Sequence, residues 1–490
     1  MDGTDVIIVG AGPVGVLLST ELALSGASVQ VLERLAAPDR TIKAGSINIA
    51  SAELLARRGL LPELRAADER TRERFNEFYN SVGREWLRGM PARRQRGHFA
   101  GFMFDDNLID DTDSDLTDHD AATNAIMIPQ AEIERILNDY AGRLGIEITR
   151  GVTVTGLDSE REGGVTVHTD SGDFSAKWIV GCDGGRSIVR RAAGFDFPGT
   201  GPEITGRQAI VTIADPEKLE PGWTWTSNGV YCHGPLPGRV LTAEFDGPPV
   251  DRELPVTALE VQESLRRVSG TDVTVEALVG DATRWTDNAR QTSTYRNGSV
   301  LLAGDAAHVH SPFSGQGLNL GIADAFNLGW KLGGVITGRC SVEMLDTYTA
   351  ERHPIGASVL AWTRAQVALL RGDAKTADLR TVIADLLGTR DGMTYIYKRA
   401  TGLQLRYDLP GKHPMIGRLA PNVTLSDGTY LHDYGRSGGF VVLDRRSGST
   451  STTTSVTTTD SVTTIVDPCT TGPRLMVIRP DGIVGWAEGD

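Results

Sequence analysis

The chain has 490 residues, too many for one ordinary hydrophobic core, so two or three domains are expected. Its hydrophobic fraction of 40% and charged fraction of 23% are those of a folded globular protein and exclude a disordered chain. A formal charge of −14 argues against nucleic acid or an anionic membrane surface as partner, since both attract basic patches.

The first predicted element is a short apolar run, Asp5 to Gly10, which reads as a buried parallel strand. A helix follows from Pro13 to Ser25, stopped by Gly26, and a second strand covers Ser28 to Glu33. Strand, helix and strand within about thirty residues form the βαβ unit of a doubly wound fold. A helix is predicted over Gln130 to Leu144, then a strand-rich passage from Ile146 to Val180. Between Pro198 and Trp285 apolar and polar residues alternate among many Gly and Pro turns, the pattern of an antiparallel sheet in a second domain. Tyr295 to Leu302 reads as a strand and Gly317 to Ile336 as a helix, and a mainly helical region continues to Tyr397. Beyond Lys412, strand-like pieces at Phe440 to Leu443 and Leu475 to Ile478 flank a Ser/Thr tract, Ser447 to Thr464. That tract has too few apolar residues to fold alone and is expected to be a mobile loop or an irregular edge strand.

The cysteines Cys182, Cys232, Cys340 and Cys469 are scattered, with neither Cys-x-x-Cys pairs nor metal spacing, so no disulfide framework and no metal site is expected. The first residues, Met-Asp-Gly-Thr-Asp, enter the first strand without a basic segment or a long apolar stretch. A cytoplasmic protein with no membrane partner is the expectation.

The first chemical motif is Gly10-Ala11-Gly12-Pro13-Val14-Gly15, with Glu33 closing the second strand. Gly10 permits the tight turn, Gly12 lets a diphosphate approach the backbone, and Gly15 allows close helix–strand packing. The helix N-terminus then offers free N–H groups to phosphate, and Glu33 can accept from ribose hydroxyls. The second motif is Gly304-Asp305-Ala306-Ala307-His308, then Pro312 and Gly315-Gln316-Gly317-Leu318-Asn319, between an apolar strand and a helix. An aspartate at such a strand end can bind a sugar or ribityl hydroxyl, and the next helix start can hold negative charge.

The string from Gly304 to Leu332 resembles the second flavin-binding motif of the single-component, FAD-dependent aromatic hydroxylases, the para-hydroxybenzoate hydroxylase-like family. Cys182-Asp183-Gly184-Gly185-Arg186-Ser187 resembles that family's third motif, and the likeness continues through Tyr348 to Pro354. Arg479 to Trp486 is similar to the thioredoxin-like C-terminal domain of its larger members. The texture is nearest to hydroxylases that tailor aromatic polyketides such as angucyclines and tetracyclines, and to rifamycin-type monooxygenases. The resemblance spans essentially the whole chain.

It implies an α/β fold: a Rossmann-like FAD-binding domain in residues 1–75, 105–182 and 286–400, and a mixed antiparallel-sheet substrate domain in residues 76–104 and 183–285. Residues 411–490 would form a thioredoxin-like C-terminal domain without a redox cysteine pair. It places the FAD diphosphate over Gly10, Gly12, Pro13 and Gly15, and the adenosine ribose at Glu33 beside Arg34. Lys43, in Lys43-Ala44, would lie on the flavin side of the loop, and Gln130 and Asp305 on the ribityl chain. Pro312 and Gly315 would shape the loop from which Gly317, Leu318 and Asn319 present backbone donors to the flavin pyrimidine edge. Asp183 and Arg186 match the motif linked to FAD and to pyridine nucleotide. NADPH or NADH would visit transiently, without a domain of its own, and O2 would be the co-substrate. Reduced flavin would then form a C4a-hydroperoxide that hydroxylates an electron-rich aromatic molecule, a chemistry asking few acids or bases of the protein. Baeyer–Villiger insertion, antibiotic inactivation, an oxidase releasing peroxide and a binding protein without turnover are the rival outcomes. A homodimer is left open.

His308 and His310 are base candidates by residue type, although a histidine in such a loop ordinarily packs or bonds to backbone. The acidic run Asp105 to Asp120 has Asp111, Asp113 and Asp115 at calcium-loop spacing. Leu116 stands where such a loop requires glycine and Ala122 where it requires glutamate, so a solvated acidic loop near the substrate entrance is expected. Trp223-Thr224-Trp225 is followed by Ser227 and Asn228 rather than the Ile-Pro of flavin halogenases, and is expected to line the substrate domain or its core. Substrate choice is assigned to the sheet between Pro198 and Trp285 and to the loop near Phe99 to Phe104.

Overall fold

The computed structural model describes residues 4–39, 41–81, 97–117, 125–159, 164–250, 254–446, 454–459, 461–468 and 472–489. The chain opens with β1 (Thr4–Val9), α1 (Pro13–Leu24) and β2 (Val29–Glu33), with Pro13 in the first turn, where its missing N–H costs nothing. Then come α2 (Ile49–Ala56), capped by the Asn48 side chain, α3 (Leu61–Ser81) and α4 (Gln130–Arg143). β3 (Ile148–Arg150), β4 (Val154–Ser159), β5 (Val165–Thr169), β6 (Gly172–Gly181) and the short α5 (Ile188–Ala192) follow. The middle of the chain holds β7 (Thr205–Ile213), β8 (Gly222–Thr226), β9 (Gly229–His233) and β10 (Arg239–Glu244), then α6 (Ala258–Ser269), β11 (Val275–Leu278) and β12 (Thr283–Trp285). β13 (Arg296–Asn297) and β14 (Val300–Leu302) lead to α7 (Gln316–Ile336), α8 (Asp346–Ala368), α9 (Ala374–Leu387) and α10 (Arg390–Thr401). The C-terminal strands are β15 (Phe440–Asp444), β16 (Ser455–Thr459), β17 (Val462–Val466), β18 (Leu475–Ile478) and β19 (Val484–Glu488).

The first sheet runs β13-β14-β6-β1-β2-β3, and its pairs from β14 to β3 are all parallel. Parallel strands are covered on both faces, which is why Val6, Ile7, Ile8, Val31, Ile179 and Val180 are buried in unbroken apolar runs. β5 joins β6 antiparallel and carries β4 beyond it. α1 packs against α7 closely because α7 meets it with glycines. A methyl group at Gly329 would lie 2.3 Å from Glu21 Cβ, and one at Gly333 2.2 Å from Ser25 Cβ.

The middle sheet runs β8-β9-β10-β7-β11, with β12 also pairing with β7, and all its pairs are antiparallel. The stretch read as sheet throughout contains a helix as well. α6 begins at Thr257, whose hydroxyl accepts from Glu260 N, and ends at left-handed Gly270. Both signals stand in the sequence; the turn residues on either side outweighed them.

The C-terminal unit is a mixed five-stranded sheet, β16-β17-β15-β18-β19, in which only β15 and β17 run parallel. Among the described residues one short 3-10 turn, Leu431–Gly435, accompanies it. Within the Ser/Thr tract, Ser455–Thr459 forms the exposed edge strand, so of the two expectations the edge strand is the one found. Residues 447–453 and 460 lie outside the described residues, as does Cys469. The acidic run differs from its expectation. Lys398 Nζ lies 2.9 Å from Asp113 and 2.8 Å from Asp115, Arg418 reaches Asp115, and Arg390 reaches Asp110. These acids are pinned to α10 and the C-terminal unit rather than freely solvated. Asp118, Asp120 and Ala122 lie outside the described residues. No helix among the described residues is long and apolar enough to cross a membrane.

A buried ionic joint fastens the C-terminal unit to the first domain. Arg58 forks onto Glu21 of α1 and donates to Gly435 O and Pro480 O, and Arg57 donates to Ala420 O. Arg479 pairs with Glu351 of α8 at 2.7 Å and with Asp481 at 2.5 Å. Lys331 Nζ sits 2.8 Å from Glu351, out of line for a hydrogen bond. Burial alone would raise the Glu351 carboxyl, but Arg479 and Lys331 hold it down at about 2, against an ordinary 4.5. A carboxyl lowered on folding contributes stability that is whole above pH 4.5 and is lost as the pH falls toward 2. Glu351→Gln, which takes the carboxylate from buried Lys331 and leaves Arg479 with Asp481 alone, is expected to cost about 3–5 kcal/mol at pH 7. Its denaturation midpoint should also fall less steeply with acid than that of the parent. Parallel acid limbs, measured by thermal denaturation at a series of pH values, would contradict this assignment.

Candidate functional site

The turn from β1 into α1 is shaped by its three glycines in three different ways. Gly10 has φ +104°, and a Cβ there would lie 2.4 Å from Cys182 O. At Gly15 a Cβ would sit 2.0 Å from Gly10 O, a contact no side chain survives. A Cβ at Gly12 would meet no heavy atom beyond its chain neighbours within 4 Å, so the face the loop leaves open is the one over Gly12. No side chain caps α1, whose N-cap is Gly12, or α7, whose N-cap is left-handed Gly315. Both helices therefore present unsatisfied backbone N–H groups at their starts.

Contacts between distant segments bring the three motifs together. Gly185 meets Val309, and Arg190 donates to Ala306 O at 3.0 Å, joining the third motif to the second. Gly304 and Gly321 both abut Val14 of the first loop. Gln130 N donates to Ala44 O beside Lys43, and Asn48 N donates to Asn319 Oδ1 at 2.9 Å, so the segment 43–48 bridges from α4 to the start of α7. Asp305, exposed on its 3-10 turn, and His310 both come near Gly317: a Cβ there would be 3.9 Å from Asp305 Oδ1 and 3.6 Å from His310 Nε2. Leu318 is buried in the first turn of α7, and Pro312 is exposed at the preceding turn. Glu33 accepts from Ala11 N and Leu35 N at 2.8 Å, holding the glycine loop as well as closing β2. Gln130 Nε2 donates to Glu134 at 2.9 Å, Lys43 pairs with Asp39 at 2.7 Å, and Arg34 is exposed.

Two buried polar atoms on this surface have no protein partner. Asp183 Oδ2 accepts from Ile188 N and Val189 N and so caps α5, while its Oδ1 is unpaired; burial raises this carboxyl. His310 Nδ1 lies 2.8 Å from Ser311 O, and a carbonyl only accepts, so Nδ1 carries the proton and Nε2 is a bare acceptor. Burial lowers the His310 pKa, which keeps the ring neutral. An open glycine loop, two uncapped helix starts and unpaired polar atoms together fit a dinucleotide whose diphosphate lies over Gly12 and whose ring reaches α7. His308 has a different position. It is 0% exposed, its Nε2 lies 2.7 Å from Asp324, and Asp324 also accepts from Arg352 and Gly304 N, which makes His308 a strut under the loop. Cys182 is held protonated by burial.

Sequence reading placed Trp223 in the substrate domain or its core and the Phe99–Phe104 loop at the substrate, but not the aromatic wall they form against this loop. Phe313, within the second motif, lies 5.5 Å from Trp285 and 5.9 Å from Trp223 between ring centroids. His98 lies 4.4 Å from Trp223, and Phe99 lies 4.6 Å from Trp362 of α8. The ribbon His98–Phe99 with Phe102–Met103, the middle sheet and the flavin-type loop thus converge on one place. Composition signalled aromatics here, but only the crossing of distant strands assembles them. His98 Nδ1 accepts from Gly101 N at 3.2 Å, and burial, then the Arg239 charge, pushes its pKa down to about 4. At neutral pH it carries one proton, on Nε2.

The glycine geometry separates two outcomes. Gly15→Ala is expected to abolish soluble folded protein, whereas Gly12→Ala should leave the melting temperature near that of the parent. Binding of FAD to the Gly12→Ala apoprotein, followed by flavin fluorescence, should weaken at least tenfold, on the order of one lost charge-assisted contact. Parental affinity in Gly12→Ala would remove the diphosphate from this loop.

Comparison with known proteins places these features. The FAD binding domain family matches residues 3–363, and the aromatic-ring hydroxylase C-terminal family matches residues 413–490. The 12-dehydrotetracycline 5-monooxygenase/anhydrotetracycline 6-monooxygenase of Streptomyces rimosus is 36% identical over 514 residues, covering 98% of this chain and 95% of that protein. An aromatic hydroxylase from angucycline biosynthesis superposes with a TM-score of 0.80 at 31% identity, over 99% of this chain and 96% of its own. The Diels-Alderase of pyrroindomycin biosynthesis superposes with a TM-score of 0.79 at 30% identity, over 100% and 97%.

Proposed function

We propose that this chain, which belongs to the FAD-binding aromatic-ring hydroxylase family, is a monooxygenase that consumes NADPH or NADH and O2 to hydroxylate a large, electron-rich aromatic molecule of polyketide type. The observation that carries this reading is the contact of Phe313, inside the flavin-type loop, with Trp223 and Trp285 of the middle sheet. A wall of flat rings that continues into the cofactor loop is suited to holding a flat polycycle against the flavin. The names of the Streptomyces rimosus relative, for 12-dehydrotetracycline and anhydrotetracycline, support the same class of large polycycle.

Bound FAD, reduced by the nicotinamide, supplies the activation of oxygen and its delivery to a ring carbon. The chain's own residues have narrower tasks. Gly10, Gly12, Pro13 and Gly15 seat the diphosphate, Glu33 takes the ribose, and Gln130 and Asp305 take the ribityl hydroxyls. The free N–H groups of Gly317, Leu318 and Asn319 at the start of α7 stabilise negative charge on the pyrimidine edge. His98, neutral with its proton on Nε2, offers a donor to a phenolic oxygen without adding charge to an apolar wall. The rings of Trp223, Trp285 and Phe313 orient the polycycle and exclude water. No side chain is required to act as an acid or base on the substrate.

The test is nicotinamide oxidation by the purified yellow protein, with and without a panel of polycyclic phenols, with mass analysis of each product. Strong stimulation by one polycycle, with a single added oxygen in its product, is the expected result. Stimulation with peroxide release and unchanged substrate would instead indicate an oxidase or a non-substrate effector. A flavin that neither nicotinamide reduces, across the panel, would overturn the reading and set the chain beside its Diels-Alderase relative.

A further inference from the structure

Among the described residues two non-glycine residues have positive φ, Ala100 at 49° and Ser314 at 62°. They belong to different parts of the site: Ala100 lies at the turn of the His98–Phe99/Phe102–Met103 ribbon, and Ser314 in the loop before α7. Both are held by the same atom. Gln366 Oε1, on α8, accepts from Ala100 N at 3.0 Å and from Ser314 Oγ at 2.6 Å. Left-handed backbone at a residue with a Cβ persists only where its surroundings over-determine it, and such strain gathers at sites where position matters.

The amide has a definite orientation. Ala100 N–H is a donor, so the atom facing it must be the carbonyl oxygen of Gln366. Its Nε2 is then left buried without a hydrogen-bond partner, on a side chain of 0% exposure. A methionine of similar volume would avoid that desolvation, so packing alone does not account for the amide. The acceptor is what the site uses. Ser314 Oγ also lies 2.9 Å from His98 O, and its single proton is shared between that carbonyl and Gln366. Arg380 of α9 donates to Ala100 O at 3.1 Å and holds the turn from its other side. The aromatic wall flanks this knot: Phe99 against Trp362, and Phe313 next to Ser314.

We propose that Gln366 is a positioning residue that locks the substrate-side ribbon to the flavin-side loop, so that the aromatic wall and the start of α7 keep one spacing. This rests on the reading above only in assigning the two loops to substrate and flavin. Loosening the lock leaves both loops present but lets them move independently. Reduced flavin would then meet oxygen without a correctly held ring, and reducing equivalents would end in peroxide.

The test uses the FAD-loaded full chain and three variants. Gln366→Met removes the acceptor, Gln366→Glu keeps it, and Ser314→Ala removes the hydroxyl while leaving Gln366 in place. Hydrogen–deuterium exchange is read in peptides spanning residues 97–104 and 311–318, together with FAD affinity and the share of nicotinamide ending in peroxide. In Gln366→Met, exchange should rise about tenfold in both peptides together, as for the loss of one or two buried hydrogen bonds, with a rising peroxide share. Gln366→Glu should retain the protection. Ser314→Ala, although altered in the flavin-side loop, should speed exchange in the 97–104 peptide, and this variant decides the matter if the methionine variant does not fold. An effect confined to the mutated loop, or a glutamate variant no better than methionine, would overturn the lock. Coupled exchange in a protein that oxygenates no aromatic would leave the lock standing and remove the hydroxylase reading instead.

Discussion

The structure turns on a polar stripe buried along α7. Asp324, Asn327 and Lys331 lie on a helix with no face open to water, and each must find a partner inside the protein. Asp324 takes Arg352 of α8, His308 and the N–H of Gly304. Asn327 donates to Glu351 and Asp481, and Lys331 contacts Glu351. One helix thereby fixes the loop beneath the flavin site, the neighbouring helix and the C-terminal sheet relative to one another. An unpaired charge at any of these positions costs more than any single surface contact returns, so the arrangement has little freedom to drift. The glycines on the side of α7 that meets α1 complete the constraint by bringing the first glycine loop up to the same helix.

That constraint explains why the C-terminal sheet belongs to the architecture although it lies away from the site. Arg57 and Arg58 reach into it from the end of α2, and Arg479 reaches back to α8. The site itself needs little ionic chemistry. Its wall is aromatic, His98 and His310 are neutral, and its strong charge–charge contact, Arg352 with Asp324, is spent on holding the loop rather than on facing a ligand. A cofactor that carries out the difficult step leaves the protein the work of position and dryness, and the residues present match that division.

Much of the first domain was legible from the sequence because its signals are local. The βαβ start, the helix at Gln130 and the long helix after Gly315 each lie within a residue or two of their expected bounds. Gly10 has the positive φ and Gly15 the close packing that the motif implies, while the loop is open over Gly12. Where reading failed, competing local signals or distant partners were responsible. Thr257, Glu260 and Gly270 mark α6, yet the surrounding turns favoured an all-strand reading. The acids at Asp110, Asp113 and Asp115 resemble a solvated loop until Arg390, Lys398 and Arg418, some 280 to 300 residues later, are brought to them. Trp223 and Trp285 could be assigned to the middle sheet, but not to Phe313.

By itself the sequence determined the first βαβ unit and the helices after Gln130 and Gly315, where a dinucleotide-type loop lies, and the α/β class of the chain, because hydrophobic period, glycine spacing and capping residues act over a few neighbours. Only the tertiary structure decided what His308 is, which ring faces which, and why Gln366 is an amide. A buried polar group has no sequence signature of its own; its role is set by the partner that satisfies it, and for Asp324, Arg479 and Gln366 those partners come from distant parts of the chain.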